Sequence, residues 1–178
     1  MSEAPNPNNG NYPDEVVNQV LDLARRTEVF ADPSEPVLGQ TDDVVMAENL
    51  EQLIRQPDTI ITTLNEDEQM VGFTLAVPIG VMDPTRAAES NDTAYIYYTA
   101  IEPERIGEGK VEPLMAATVE RLRDDGYSFL ERDSQISNGY ADKIQKTYQD
   151  AIVSSRDHLD FPEFGPLRFF RIDLNAID

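Results

Sequence analysis

Apolar positions recur along the chain in two periods, and the change from one to the other separates helices from strands. After Pro13 and Asp14 they fall at Val16, Val17, Val20, Leu21 and Ala24, one face of a helix running to about Arg26. A proline-bearing loop, Asp32 to Gln40, leads to a second helix that Thr41 can cap. Asp42 and Asp43 suit its positive end, Met46, Leu50, Leu53 and Ile54 form its stripe, and Pro57 ends it. At Thr59 the pattern turns β-branched. Thr59–Leu64 and Met70–Val77 read as two strands of a hairpin around the polar turn Asn65–Gln69. Met82 to Asp92 reads as an excursion loop, and Thr93–Ile101 as a third strand halted by Pro103. The loop Ile106-Gly107-Glu108-Gly109 opens a helix to Asp125 carrying Val111, Leu114, Met115, Val119 and Leu122, with Gly126 as its stop. A short strand from Tyr127, a helix from near Asn138, and strands at Ala151–Arg156 and Leu167–Leu174 complete the order.

Two helices, three strands, helix, strand, helix and two strands predict an α/β fold. Its mixed sheet is flanked by about four helices, with at least one parallel pair beside the hairpin. Residues 1–12, rich in Asn and Pro and without an apolar period, predict a disordered lead before a single domain over 13–178. The 178 residues, 40% of them apolar, suffice for one substantial core. No apolar run approaches the roughly 20 residues of a membrane span, and the acidic start lacks the apolar stretch of a signal peptide, so a cytoplasmic protein is expected. With no cysteine there is no disulfide, thiolate metal site or cysteine nucleophile.

The net charge of −20 disfavours nucleic acid and anionic membranes as partners. It is compatible with a cationic substrate such as an amine. The dispersal of the acids along the whole chain favours instead a heavily hydrated surface of the kind expected from adaptation to high salt. Oligomeric state, including a homodimer, is left open.

From about Met70 to Leu174 the chain resembles the GNAT superfamily of N-acetyltransferases. Val71-Gly72-Phe73 is similar to that family's third strand. The run from Ile101-Glu102-Pro103 through Gly107-Glu108-Gly109-Lys110-Val111 to Leu114-Met115 follows its phosphate loop and next helix without a gap. Gly126-Tyr127 and Asn138 fall at the usual distances beyond. The resemblance implies an acyl-CoA N-acyltransferase fold that uses acetyl-CoA as co-substrate. The coenzyme's pyrophosphate would meet the amides of Ile106, Gly107, Glu108, Gly109, Lys110 and Val111 at a helix N-terminus. The pantetheine arm would pair with backbone groups of Ala100 and Ile101, and Asn138 would complete the cofactor set. The implied reaction is direct acyl transfer to a small amine.

Three residues depart from the family pattern. Ile106 replaces a Gln or Arg, Val111 replaces a Gly or Ala, and Gln145 stands where many members carry a Tyr that protonates the leaving thiolate. Tyr148, three residues on, is the candidate acid, against an aromatic packing role at a helix end. These departures keep a second reading open, a GNAT-fold binding or regulatory protein without catalysis.

An alkylammonium must lose a proton before it attacks, and Glu102, Glu131 or Asp133 could take it. Leu130-Glu131-Arg132-Asp133-Ser134-Gln135 is polar for a central strand, which suggests either a cleft wall or an edge-exposed, internally paired run. Tyr95, Tyr97 and Tyr98 cover both faces of their strand. His158, the one histidine, is expected on a surface hairpin loop, and no metal site is expected.

Overall fold

The computed structural model describes residues 12–27 and 50–177. The expected Asp32–Gln40 loop, the cap at Thr41 and residues 1–11 of the expected lead lie outside these. The elements are α1 (Asp14–Thr27), a helical stretch at 50–54, β1 (Ile60–Glu66), β2 (Gln69–Pro78), α2 (Ile79–Met82), β3 (Thr93–Ile101), α3 (Val111–Asp124), β4 (Phe129–Gln135), α4 (Tyr140–Thr147), β5 (Ile152–His158) and β6 (Leu167–Asp173). Six strands form a mixed sheet in the order β1-β2-β3-β4-β6-β5. Pairs β1–β2, β4–β6 and β5–β6 are antiparallel, and β3–β4 is the parallel pair that a strand–helix–strand unit requires. The chain divides into two compact units, both discontinuous in sequence.

The first unit takes the chain to Val77 and then Tyr98–Thr118. Its core is the stripe expected from the sequence, with Val17, Val20, Leu21 and Ala24 of α1 buried together with Leu50 and Ile54 and with Phe73, Leu75 and Val77 of β2. Tyr12, the last residue of the expected lead, is buried instead. Its hydroxyl donates to the Thr59 carbonyl (3.1 Å) and accepts from the Ile61 amide (2.8 Å), fastening the start of the helix to the first strand. Tyr12→Phe should therefore cost about 1–3 kcal/mol, since it strands buried backbone groups while keeping the ring. A urea midpoint unchanged from wild type would show that this fastening contributes nothing.

The glycine of Val71-Gly72-Phe73 has a steric reason. A Cβ at Gly72 would lie 2.7 Å from Ile101 Cδ1 and 3.2 Å from the Ala100 carbonyl oxygen, so β2 can pass this close to the end of β3 only without a side chain. The flanking Phe73 uses that approach to stack on Tyr98, with centroids 5.6 Å apart. Behind the strand, Thr118 donates to the Leu114 carbonyl at 2.8 Å. Its single proton is thus committed, and Thr74 must be the donor in the 2.6 Å hydroxyl pair that joins β2 to α3.

The second unit comprises Pro78–Tyr97 and Val119–Asp178. Here the expected excursion loop is corrected. Residues after Pro78 form α2 and then a 3-10 segment, Pro84–Glu89, because Asp83 accepts from both the Thr85 amide (3.0 Å) and hydroxyl (2.6 Å) while Pro84 opens the turn. Gly126 ends α3 as expected, with the Tyr127 amide bonded to Leu122 and its own amide to Arg123. The polar strand is neither a cleft wall nor an exposed edge over its first half. β4 is interior to the sheet, and Glu131 is 2% exposed.

That burial is offset by two arginines. Arg86 of the 3-10 segment grips Glu131 bidentately at 2.8 and 2.9 Å, and Arg171 of β6, directly opposite in register, also bonds it. Arg86 further bonds Glu89 at 2.7 and 2.9 Å, so two acids and two bases close on one another. The same Arg171 lies over the Phe129 ring at 4.3 Å.

Candidate functional site

Pro103, Glu104 and Arg105 form a single 3-10 turn that ends β3 and delivers the chain into the glycine loop. The loop is built from two left-handed glycines, Gly107 (φ 91°) and Gly109 (φ 76°), a conformation that a side chain disfavours. A Cβ at either would meet nothing within 4 Å, so the loop faces open space. Its own hydrogen bonding is partial. Ile106 donates to Pro103, Glu108 to Arg105 and Glu112 to Gly109. Among the described residues, the amides of Gly107, Gly109, Lys110 and Val111 have no hydrogen-bond partner. They lie at the N-terminus of the 14-residue helix α3, where the macrodipole adds to their positive field. Val111 occupies the first helical position, and Pro113 sits in the first turn, where no intrahelical donor is needed. Ile106, in place of a family Gln or Arg, is 69% exposed and offers no polar contact.

The charged side chains around the loop neutralise one another. Lys110 bonds Glu66 at the end of β1 and lies 3.7 Å from Glu108. Arg105 lies 3.4 Å from Glu108 and 3.9 Å from Glu66. The hydrogen bond from Lys110 holds the Glu66 carboxyl below its usual range, and the same bond raises Lys110. The positive field left at this loop therefore comes from main-chain amides more than from free cations.

Ala100 and Ile101 are buried at the end of β3, where the Glu102 amide donates to the Val71 carbonyl at 2.8 Å. The parallel ladder of β3 with β4 covers Thr93–Ile96, four residues before Ala100. Asn138 spends its side chain locally, accepting from the Tyr140 amide at 2.9 Å and donating to Gln135 at 3.0 Å, and so shapes the turn into α4. Tyr148 is 8% exposed just beyond the C-terminus of α4, where its ring packs. Of the three acids considered as bases, Glu102 is paired with Arg26 and Glu131 with two guanidiniums. Asp133 alone joins a chain of groups that can exchange a proton, with Tyr95 donating to one carboxylate oxygen (2.6 Å) and His158 bonding the other (2.6 Å).

His158 corrects the expectation of a surface loop. It is the last residue of β5, and its side chain is 7% exposed against Asp133. The sequence holds a signal for this. Counted back from His158, alternate residues of β5 reach the face that Phe169 and Asp133 share, since Arg156 and His158 stand opposite Phe169 and Leu167. The hairpin was legible, but which β6 residue lay opposite was not. Burial, and then the negative charge of Asp133, push the Tyr95 hydroxyl well above its ordinary value, so it remains a donor to that carboxylate.

No family profile matches the chain, and no curated protein matches it by sequence. Solved structures do match. A GNAT-family protein from Desulfovibrio desulfuricans superposes with a TM-score of 0.63 over 92% of this chain and 96% of its own, at 16% identity. The yncA protein of Salmonella typhimurium, solved with its cofactor acetyl-CoA, gives 0.62 over 92% and 91%, at 12% identity. The aminoglycoside 6'-N-acetyltransferase of Enterococcus faecium gives 0.58 over 91% and 92%, at 15% identity. The correspondence spans nearly the whole of each chain, and the protein has the fold of the GNAT-family acetyltransferases.

Proposed function

We propose that the protein is an acetyl-CoA-dependent N-acyltransferase that passes an acyl group directly to a small primary amine. The observation that carries this reading is the run of unpartnered amides at Gly107, Gly109, Lys110 and Val111 at the mouth of α3, where the two glycines face open space. Such a mouth is suited to a diphosphate, and coenzyme A presents one. Ile106 and Glu108 donate within the loop and so would shape it, while the main chain of Ala100 and Ile101 would pair with the pantetheine arm. When bound, acetyl-CoA supplies an activated thioester carbonyl. The protein's own part is to hold the anion, align the arm and provide a place for the acceptor's proton to go. Direct transfer agrees with a chain that contains no cysteine to carry the acyl group. The support for an amine acceptor is the fold together with a net charge of −20, which favours a cationic ligand.

Tyr148, buried behind α4, is better suited to packing than to protonating a leaving thiolate, and Asn138 is better suited to its turn than to the coenzyme. Calorimetric titration with acetyl-CoA tests the reading. Saturable heat, followed by amine-dependent release of free coenzyme A, is the expected result. Absence of heat at millimolar acetyl-CoA would leave only the architecture.

A further inference from the structure

Strand β4 carries two withdrawn carboxylates on one face, two residues apart, and they are provided for differently. Glu131 is met by two guanidiniums. Asp133 has no such partner: among the described residues neither Arg nor Lys forms an ion pair with it, and its side chain is 17% exposed. Its two hydrogen bonds come from the neutral hydroxyl of Tyr95 and from the ring of His158. A carboxylate largely removed from water, hydrogen-bonded yet without a permanent cation, remains short of counter-charge. It also keeps acceptor capacity, since a carboxylate offers about four lone-pair sites and two are in use.

Among the described residues, His158 is the partner of Asp133 that can take up a positive charge, and histidine is the side chain whose charge changes in the physiological range. Its Nδ1 lies 3.3 Å from the Asp160 amide, which donates to it, so the neutral ring carries its proton on Nε2 and gives it to Asp133. A second proton, on Nδ1, would face the Asp160 carboxylate at 3.2 Å. Among the described residues, the other charged groups near this cluster are engaged, and Arg132, whose charge acts on Tyr95, bonds Ser134 and Tyr140 at 3.0 Å each. Asp157 of the same strand is held by Arg168 of β6 at 2.6 Å, and Arg156 lies 3.8 Å from Asp160. The Phe161 ring closes one side edge-on at 6.2 Å. Protonating His158 thus supplies Asp133 with a cation, and deprotonating it leaves the carboxylate to seek another.

We propose that Asp133 is the docking group for the primary ammonium of the acceptor, and that this ammonium and the imidazolium of His158 compete for it. The identity of the ligand rests on the amine-acyltransferase reading; the competition rests on the geometry alone. A primary alkylammonium is a compact charge with three N–H donors, which can use the free lone pairs of Asp133 and of the Tyr95 oxygen. A quaternary ammonium of equal charge has no donor and cannot. Acceptor binding would then strengthen as pH rises through the titration of His158.

Binding at two competing sites is reciprocal, so the ammonium must in turn make His158 easier to deprotonate. The chain has one histidine, and its ring Cε1 proton can be followed by NMR without assignment ambiguity. The titration is run on the whole protein without acetyl-CoA, at constant ionic strength, with no addition, with n-butylammonium and with tetramethylammonium. n-Butylammonium should lower the titration midpoint by about one unit, a tenfold coupling, while tetramethylammonium leaves it in place. Asp133→Asn should remove the difference between the two cations. Equal shifts with both cations, no shift with n-butylammonium, or a difference that survives in Asp133→Asn would each overturn the proposal. Should the variant fail to fold, the two-cation comparison on wild type still decides. Because no coenzyme is present, a negative outcome here leaves acetyl-CoA binding standing, and a negative acetyl-CoA titration leaves this site standing.

Discussion

Glu131→Ala is expected to lower the unfolding free energy by about 2–4 kcal/mol, a fall in Tm of roughly 5–12 °C for a chain of this size. The reason is the company that Glu131 keeps. Arg86 and Arg171 converge on it within an interior strand, and deleting the acid leaves two guanidiniums facing each other with only Glu89 between them. The effect falls somewhat short of a fully buried pair because the arginine side chains are 28% and 22% exposed, and water can reach them. Glu131→Gln, which keeps the shape and the acceptor oxygen but loses the charge, should fall between the two. Urea unfolding followed by circular dichroism reads both. An alanine variant within 0.5 kcal/mol of wild type, the usual range for a surface change, would mean that the pairs are as weak as exposed ones.

The second large effect is expected at Gly109. Gly109→Glu should abolish acetyl-CoA binding in the calorimeter by placing a carboxylate among the amides that would receive a diphosphate. The left-handed backbone at this position (φ 76°) makes any side chain cost about 1–2 kcal/mol of stability. Gly109→Ala separates the two contributions. It bears the same backbone cost, adds no charge, and meets no neighbouring atom within 4 Å. The alanine variant should therefore lose stability to the same extent while retaining measurable affinity. Equal loss of binding in both would assign the effect to loop conformation, and unaltered affinity in the glutamate variant would show that the anion site lies elsewhere.

Much of the architecture was legible because its signals are local. The strand Thr93–Ile101 has the bounds its β-branched and aromatic run predicts, and α3 closes at Gly126 where the glycine follows the last apolar residue of the stripe. The glycine loop could be located from residue order alone, since backbone conformation there depends on the residue itself. What escaped the sequence depends on register between distant strands. Nothing local says that Glu131 stands opposite Arg171, or that His158 of β5 reaches across β6 to Asp133, because a shift of one residue would turn each side chain to the other face. The 3-10 segment has no local signal for a related reason. Pro84–Glu89 has weak propensity of its own and is held by a cap at Asp83 and by the long-range grip of Arg86 on β4. The Asn and Pro neighbours of Tyr12 predict a disordered lead, whereas the buried backbone groups that it serves lie 47 and 49 residues away.

The neutralised loop has a consequence for kinetics. With Lys110 and Arg105 already engaged by Glu66 and Glu108, a polyanion approaching α3 meets no local excess of positive charge to draw it in, while the whole molecule, at −20, pushes it away. Dissolved ions shorten the reach of that repulsion to about 10 Å at 0.1 M, yet barely weaken amide contacts made at hydrogen-bond distance. Encounter with such a ligand will quicken as electrolyte is added, opposite to the behaviour of a basic cleft that attracts its anion from afar.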